Sequence, residues 1–362
     1  MTVDGMLNAV LNELRGRDIV VVGAYTNQPL PNPNSHIVGR DIDLRIIVDD
    51  ASLEGLDVTI STTNAGTKVF FKSFPSVHVR ALRSRCIVID TSVFPWSVMR
   101  DTGTLLGTWL QDAASTELLL GTTVDDPQGR VEGIRSIIAD QFRSPRFINA
   151  RMRWVLQIGL RSLTSSHTSQ SDDVTAFWRF AGRPLMGLGH VVVARALLAP
   201  SPRSHLRRLR EASTMLNAPH INAMLQRMWG LDDISDADLS FAAECTAHQY
   251  RALCKRDSYH DCLLHPGKEE YWFSGWQRAF PALSGAERAF PLLYLMVHLH
   301  RRASEIALPI PRSFRTMVRR WIGRTFWARK PEISTALSTI HTIGLGLLEE
   351  LRVHEDDSAP NI

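Results

Sequence analysis

Two aspartates, Asp41 and Asp43, lie in one short apolar stretch of the chain, which reads DIDLRIIV. A β-strand turns alternate residues to opposite faces, so both carboxylates are expected on the same face. Like charges this close repel each other and raise each other's pKa unless a positive charge lies nearby. The pattern therefore leaves two interpretations: a strand face open to solvent, or a face that holds a cation.

A third acidic residue can join this pair. Asp90 ends the apolar run CIVID, which predicts a later strand, whereas the alternative, Asp57, follows the first two aspartates too closely. Three carboxylates on one sheet face can hold two divalent cations, because Mg²⁺ prefers oxygen ligands. We expect Asp41, Asp43 and Asp90 to form this metal site, and Asp90 to accept a proton as general base as well.

A sheet in the first hundred residues must position these carboxylates. Apolar residues at helical spacing predict a helix over residues 5–15, and the run GRDIVVVGAY predicts a buried strand that ends at Gly23. The proline-rich stretch 26–38 excludes a helix there. Further strands are predicted at residues 56–62, 67–74, 77–82 and 85–93, with a hairpin turn at 64–66.

The pattern changes after Pro95 and is helical almost to the end of the sequence. Residues 207–229 and 236–256 each read as an amphipathic helix. The sequence therefore predicts the α+β class, with a β-rich domain followed by a larger all-helical domain.

Composition narrows the class of protein. The chain has 362 residues, of which 44% are hydrophobic and 22% charged, as in ordinary globular proteins. No apolar run reaches the length of a membrane span, the first residues lack the order of a signal peptide, and four cysteines suggest a reducing compartment, so a cytoplasmic protein is expected. A net charge of +4 is too small to indicate a nucleic-acid partner.

The order of a helix, a strand with Gly23-Ala24, a loop, D-I-D-L and a strand ending in Asp90 resembles the nucleotidyltransferase superfamily typified by DNA polymerase β. Within it, residues 5–262 are most similar to the bacterial aminoglycoside-type nucleotidyltransferases. A segment at 116–134 also resembles the family's strand, D-x-x-G and helix. The resemblance implies an N-terminal mixed β-sheet nucleotidyltransferase domain followed by a larger all-helical domain. The predicted domains are residues 1–100, 101–265 and a helical C-terminal extension at 266–362.

The resemblance also implies an activity: transfer of a nucleoside monophosphate from a nucleoside triphosphate such as ATP to a hydroxyl or similar group of a small molecule. Two Mg²⁺ ions, or Mn²⁺ in their place, would be the cofactors. The acceptor is expected between the sheet domain and the helical domain, and residues 266–362 would form a homodimer surface or a lid. The residues that the resemblance assigns to nucleotide binding are Gly23, Ala24, Arg40, Arg153 and Arg161.

Several positions depart from the family pattern. Ala24 replaces a usual Gly or Ser, Arg40 stands where a serine is common, and the helical stretch 146–163 lacks the glutamate that often serves as base. Ala24 and the proline-rich loop 26–38 motivate an alternative, a non-catalytic or regulatory protein of the same fold, such as a toxin–antitoxin component or an interaction module. Glu117 reads as structural.

Two further interpretations are weaker. A D-x-D glycosyltransferase would need a larger nucleotide-binding region before the motif than this chain has. A zinc site has unsuitable ligand spacing except for the pair Cys262 and His265, so core or interface roles are expected for its candidate ligands. Those candidates are His248, Cys254, His260, Cys262 and His265.

Overall fold

The computed structural model describes residues 3–26, 41–55, 60–62, 68–70, 78–82, 85–107, 114–161, 173–198, 201, 204–256, 269, 272–273, 283–326, 328 and 333–354. Within these residues the chain is an α+β protein, with a mixed sheet near the N-terminus followed by helices, as the sequence predicts. It divides into two compact units. Met1–Arg143 with Ser258–Trp276 form the first, and Ser144–Asp257 with Gln277–Ile362 form the second. The division therefore falls after Arg143, beyond the change of pattern near residue 100.

The described residues of the first unit contain seven strands. In chain order they are β1 Val21–Thr26, β2 Asp41–Val48, β3 Ile60–Thr62, β4 Lys68–Phe70, β5 His78–Leu82, β6 Arg85–Pro95 and β7 Thr123–Asp125. Five of them form a sheet in the order β5-β6-β2-β1-β7, in which β2 and β6 are parallel and the other neighbours antiparallel. The strands β3 and β4 form a separate antiparallel pair, and the predicted turn at 64–66 lies outside the described residues. The strand that carries the aspartates is thus the central strand of the larger sheet.

A helix covers one face of this sheet. Helix α1, Val3–Arg15, buries Leu7, Val10, Leu11 and Leu14 on one side, the side that its apolar spacing predicts. They share one hydrophobic cluster with the even-numbered β2 residues Ile42, Leu44, Ile46 and Val48. Because each large apolar side chain contributes about 1.5–3 kcal/mol when fully buried, a one-residue slip of β2 would be very costly. This packing fixes the odd-numbered residues, including the aspartates, on the opposite face.

The described residues of the first unit also form four more α-helices, α2 Trp96–Met99, α3 Thr102–Gly107, α4 Ala114–Leu120 and α5 Arg130–Gln141, and a short 3-10 helix at Asp50–Gly55. The segment between β7 and α5 has the predicted order of strand, D-x-x-G and helix. The Asp126 carboxylate accepts a hydrogen bond of 3.0 Å from the backbone N–H of Glu132, and Gly129 has a left-handed φ of 66°. The D-x-x-G motif therefore caps α5, since a carboxylate satisfies a free N–H of the first turn and glycine tolerates that φ.

The second unit is helical in its described residues. Its helices are α6 Pro145–Arg161, α7 Asp173–Phe177, a π-helical turn Trp178–Gly182, α8 Arg183–Arg195, α9 His205–Met215, α10 Pro219–Trp229, α11 Asp236–Arg256, α12 Gly285–Glu305, α13 Arg312–Ile322 and α14 Ile333–Glu350. The helix predicted at 236–256 is confirmed as α11. No helix among the described residues is long and apolar enough to cross a membrane.

Two predicted boundaries are wrong. The single helix at 207–229 is two helices, because Asn217 takes a left-handed φ of 52° and Pro219 begins a new helix. Strand β1 does not end at Gly23 but continues through Thr26. The loop at 26–38 lies outside the described residues after Thr26.

Candidate functional site

The backbone register brings the predicted carboxylate positions together. Asp43 of β2 is paired with Asp90 of β6, and Asp41 is paired with Val88. Paired residues of neighbouring strands belong to the same face of a sheet, and so do residues two apart on one strand. Asp41, Asp43 and Asp90 therefore occupy adjacent positions on one face, opposite the face that α1 covers.

A buried ion pair lies beside these positions. Arg45, two residues after Asp43, donates hydrogen bonds from Nε and Nη2 to the two carboxylate oxygens of Glu117 on α4, at 2.8 and 3.0 Å. A third bond of 2.7 Å runs from Nη1 to the hydroxyl of Ser92 on β6. Only 5% of the Arg45 side chain and 10% of the Glu117 side chain are exposed. This bidentate geometry is the kind that lets two charges be buried together.

The Asp43 side chain is more exposed than the ion pair beside it. The Asp43 side chain is 25% exposed, and its Oδ2 atom lies 3.9 Å from Nη2 of Arg45. That separation is too long for a hydrogen bond but close enough for electrostatic attraction. Asp43 thus stands at the edge of the buried network, where solvent can reach its carboxylate.

Arg45 changes the interpretation of the two aspartates. The Arg45 guanidinium lies on their face, but its charge is already paired with the Glu117 carboxylate, so without a metal only its attraction to Asp43 at 3.9 Å offsets the repulsion between the aspartates. Sequence reasoning did not select Arg45, although its position two residues after Asp43 places it on the same face. Glu117 was interpreted as structural without a partner being identified. Its partner, Arg45, lies 72 residues away in the sequence, and no local pattern indicates that contact.

Gly23 and Ala24 have packing roles in the described sheet. A Cβ atom on Gly23 would collide with Cγ2 of Val131 on α5 and would lie 3.0 Å from the carbonyl oxygen of Asp125. Ala24 is fully buried in the cluster beneath α1. Both residues lie inside a paired strand, so their placement favours packing over contact with a phosphate.

None of the predicted nucleotide-binding arginines has a described position on the sheet face that carries the carboxylates. Arg40 lies outside the described residues, as does the alternative carboxylate Asp57. Arg153 is exposed on α6, and Arg161 is the last residue of that helix, which belongs to the second unit. Arg153 lines a groove of about 290 Å³ together with residues from α6, α14 and the segment after it.

The zinc alternative finds no support among the described side chains. His248 and Cys254 lie on α11, whereas the other three candidates lie outside the described residues. In the part of the chain whose side chains are described, no group of three His, Cys, Asp or Glu residues could hold a metal ion. That finding does not extend to the D-x-D face, because the side chains of Asp41 and Asp90 are not among those described.

No protein-family model, curated protein or solved structure matches this chain. The resemblance to nucleotidyltransferases therefore stays a prediction from the motif.

Proposed function

We propose that this chain is a metal-dependent nucleotidyltransferase, which moves a nucleoside monophosphate from a nucleoside triphosphate to a hydroxyl or similar group of a small molecule. The observation that carries the proposal is the parallel register of β2 and β6, which sets Asp43 beside Asp90 with Asp41 two residues away on the same face. An isolated D-x-D pair is common on solvated strands. A third aspartate in register with it puts three carboxylate residues at adjacent positions on one face, which could hold the divalent cations of a phosphoryl-transfer site.

The donor set fits Mg²⁺. All three residues offer carboxylate oxygens, which hard divalent cations prefer, and a quarter of the Asp43 side chain is open to solvent. When bound, Mg²⁺ would neutralise charge on the triphosphate and on the leaving pyrophosphate. Asp41, Asp43 and Asp90 are the residues that would hold it.

The protein's own groups would perform the remaining tasks. Asp90 accepts the proton of the acceptor hydroxyl while that oxygen forms a bond to the α-phosphorus. The bond from the α-phosphorus to the bridging oxygen breaks, and pyrophosphate leaves with the electron pair. Arg45, held by Glu117 and Ser92, limits the movement of β2 beside Asp43 and so acts as a positioning residue.

The test is pyrophosphate release from each of the four nucleoside triphosphates with Mg²⁺ across a set of candidate hydroxyl acceptors. We expect Asp43→Asn to lower the rate at least about a hundredfold, the order of the loss when one group that stabilises transition-state charge is removed. Asp18→Asn is the matched control, because Asp18 is exposed on a turn of the same unit. Equal rates in the two variants would refute the proposal.

One observation favours a second candidate, a non-catalytic or regulatory protein of this fold. The guanidinium of Arg45 already supplies positive charge 3.9 Å from Asp43, as a purely structural charge network would. Calorimetric titration with nucleoside triphosphates and Mg²⁺ separates the two. Binding that disappears in Asp43→Asn supports the enzyme, whereas no binding to either protein supports the second candidate.

A further inference from the structure

Helix α13 has a strongly basic sequence, RSFRTMVRRWI, with four arginines among its eleven residues and no acidic residue. Its apolar side packs against α7, α11 and α12 within the second unit. The apolar side chains are all buried, and they are Phe314, Met317, Val318, Trp321 and Ile322. Because this side is buried, the polar side of the helix is turned towards solvent.

The arginines lie together on that polar side. At 3.6 residues per turn, Arg312, Arg315 and Arg319 fall within about 60° of one another around the helix axis, and Arg320 borders them. All four residues are exposed, and the side chains of Arg319 and Arg320 are 55% and 61% exposed. We call these four arginines the basic stripe, which is about 12 Å long at 1.5 Å per residue.

Two aspartates lie beside the basic stripe. Arg319 lies 3.2 Å from Asp173 of α7, and Arg320 lies 3.3 Å from Asp238 of α11. Ion pairs between exposed side chains are weak, because water screens them and both side chains lose freedom when they form. The two arginines can therefore exchange a carboxylate for another anion.

The beginning of α13 is unusual for a helix. Arg312 is its first residue and Arg315 lies at the end of its first turn, whereas the N-cap, Pro311, makes no side-chain hydrogen bond. By contrast, α11 has two aspartates in its first turn and α12 begins with a capping box of Ser284 and Glu287. The N-terminal end of a helix carries partial positive charge, so acidic residues stabilise it and arginines repel it. Helix stability thus does not explain the two arginines, whereas a bound anion would stabilise both them and the helix end.

The residue types on the exposed side indicate which anion fits. Besides the four arginines they include Ser313 and Thr316, and arginine, serine and threonine are all residues that contact the phosphates of nucleic acids. Helix α13, whose residues are all described, exposes no apolar side chain. A protein interface needs an apolar centre, and a helix that lies on a membrane needs an apolar face to insert. A single strand is bound largely by aromatic stacking, whereas the backbone of a duplex requires only charge and hydrogen bonds.

We propose that the basic stripe binds the phosphate backbone of a double-stranded nucleic acid without reading its sequence. A DNA duplex carries one negative charge per about 1.7 Å of its axis, so several phosphates lie within the length of the stripe. The net charge of +4 is a sum over the whole chain, whereas binding depends on the local clustering of arginines. This surface lies in the second unit and does not depend on the proposed nucleotidyltransferase activity.

The experiment is a fluorescence-anisotropy titration of the whole chain with a labelled duplex of about 20 base pairs, once as DNA and once as RNA. Four phosphate contacts predict that the affinity falls on the order of a hundredfold between about 50 and 200 mM salt. Two duplexes of different sequence should bind equally. Binding of neither the DNA nor the RNA duplex at the lower salt concentration would refute the proposal.

A single substitution tests the stripe itself. Arg315→Gln should weaken duplex binding and reduce the slope of log affinity against log salt by about one. Arg227→Gln is the matched control, because it removes the same charge from an exposed position on α10 of the same unit and should leave the slope unchanged. Thermal unfolding shows that each variant is folded, and Arg315→Gln should be at least as stable as the parent. Equal losses of affinity in the two variants would mean that only the overall charge matters and would overturn the proposal.

Other polyanions and the first unit provide the remaining comparisons. Vesicles of phosphatidylserine and phosphatidylcholine represent a membrane, and a polyglutamate peptide represents an acidic protein. Binding of either that is at least as tight as that of the duplex would overturn the proposal, and weaker binding of both supports it. Asp43→Asn should leave the duplex affinity unchanged even if it abolishes nucleotidyl transfer, so failure of this proposal is distinguishable from failure of the proposed function.

Discussion

Two buried polar clusters, one in each compact unit, reduce the free-energy cost of burying polar groups in opposite ways. In the first unit Arg45 keeps its charge, because Glu117 and Ser92 accept three of its hydrogen bonds. In the second unit His190 and His205 form an edge-to-face pair with ring centroids 5.0 Å apart. Burial lowers the pKa of His190 to about 4 and holds the pKa of His205 well below its usual range.

His205 is the clearest contrast to Arg45. Its side chain is almost completely buried and packs against the rings of Phe290 and Trp229, at centroid distances of 5.0 and 6.2 Å. Neither ring nitrogen has a hydrogen-bond partner among the described residues. In these two clusters the permanently charged guanidinium is buried together with its counter-charge, whereas the titratable rings are buried in their neutral form.

The largest expected effect comes from breaking the paired cluster. Glu117→Ala leaves the Arg45 guanidinium buried without its carboxylate, and we expect the first unit to lose about 3–5 kcal/mol of unfolding free energy. Urea unfolding measures the loss. Glu13→Ala is the control, because Glu13 pairs with Arg17 in an exposed i,i+4 arrangement and should contribute only about 0.5 kcal/mol. Similar losses in the two variants would contradict the buried ion pair.

The next effect is a pH dependence of the second unit. The folded state keeps His190 neutral, while the unfolded chain binds a proton below pH 6.5, so stability falls as pH drops from about 6.5 towards about 4. From these two pKa values, His190 alone should cost about 2 kcal/mol at pH 5. Urea unfolding at pH 7, 6 and 5 measures it, and a flat profile over that range would rule out the neutral pair.

The smallest expected effect, that of His205→Phe, tests the contrast between His205 and Arg45. His205→Phe replaces an unbonded ring with an apolar ring of similar shape, so we expect a change of less than about 1.5 kcal/mol at pH 7. The same variant should show a shallower loss of stability between pH 6.5 and pH 5, because it removes one neutral histidine from the pair. A loss at pH 7 as large as that of Glu117→Ala would mean that His205 makes an essential polar contact.

Local patterns predicted the elements better than the contacts between them. Alternation along β2 and helical spacing along α1 were sufficient to place both elements and their inner faces, since periodicity is a local property. Gly23 was misread as the end of a strand, because the side chain that it accommodates, Val131, comes from a distant helix. The break at Asn217 was missed, although Pro219 follows two residues later and signals a helix start.

In the candidate site, too, local patterns could be predicted from the sequence, whereas the long-range contacts could not. The two aspartates on one face and a third on a later strand could be read from spacing, but their register required the sheet. The pairing of Arg45 with Glu117 could not be read from any window of sequence, because it closes a segment of 72 residues.

The same long-range contacts have a consequence for folding kinetics. Arg45 meets Ser92 across 47 residues and Glu117 across 72, and the parallel pairing of β2 with β6 spans a similar segment. Contacts between residues so far apart form slowly, because the entropy of closing the chain must be lost before any contact energy is gained. We therefore expect the carboxylate face to be among the last parts of the first unit to assemble after synthesis. In a nascent chain Arg45 would lack its Glu117 partner until α4 has emerged from the ribosome.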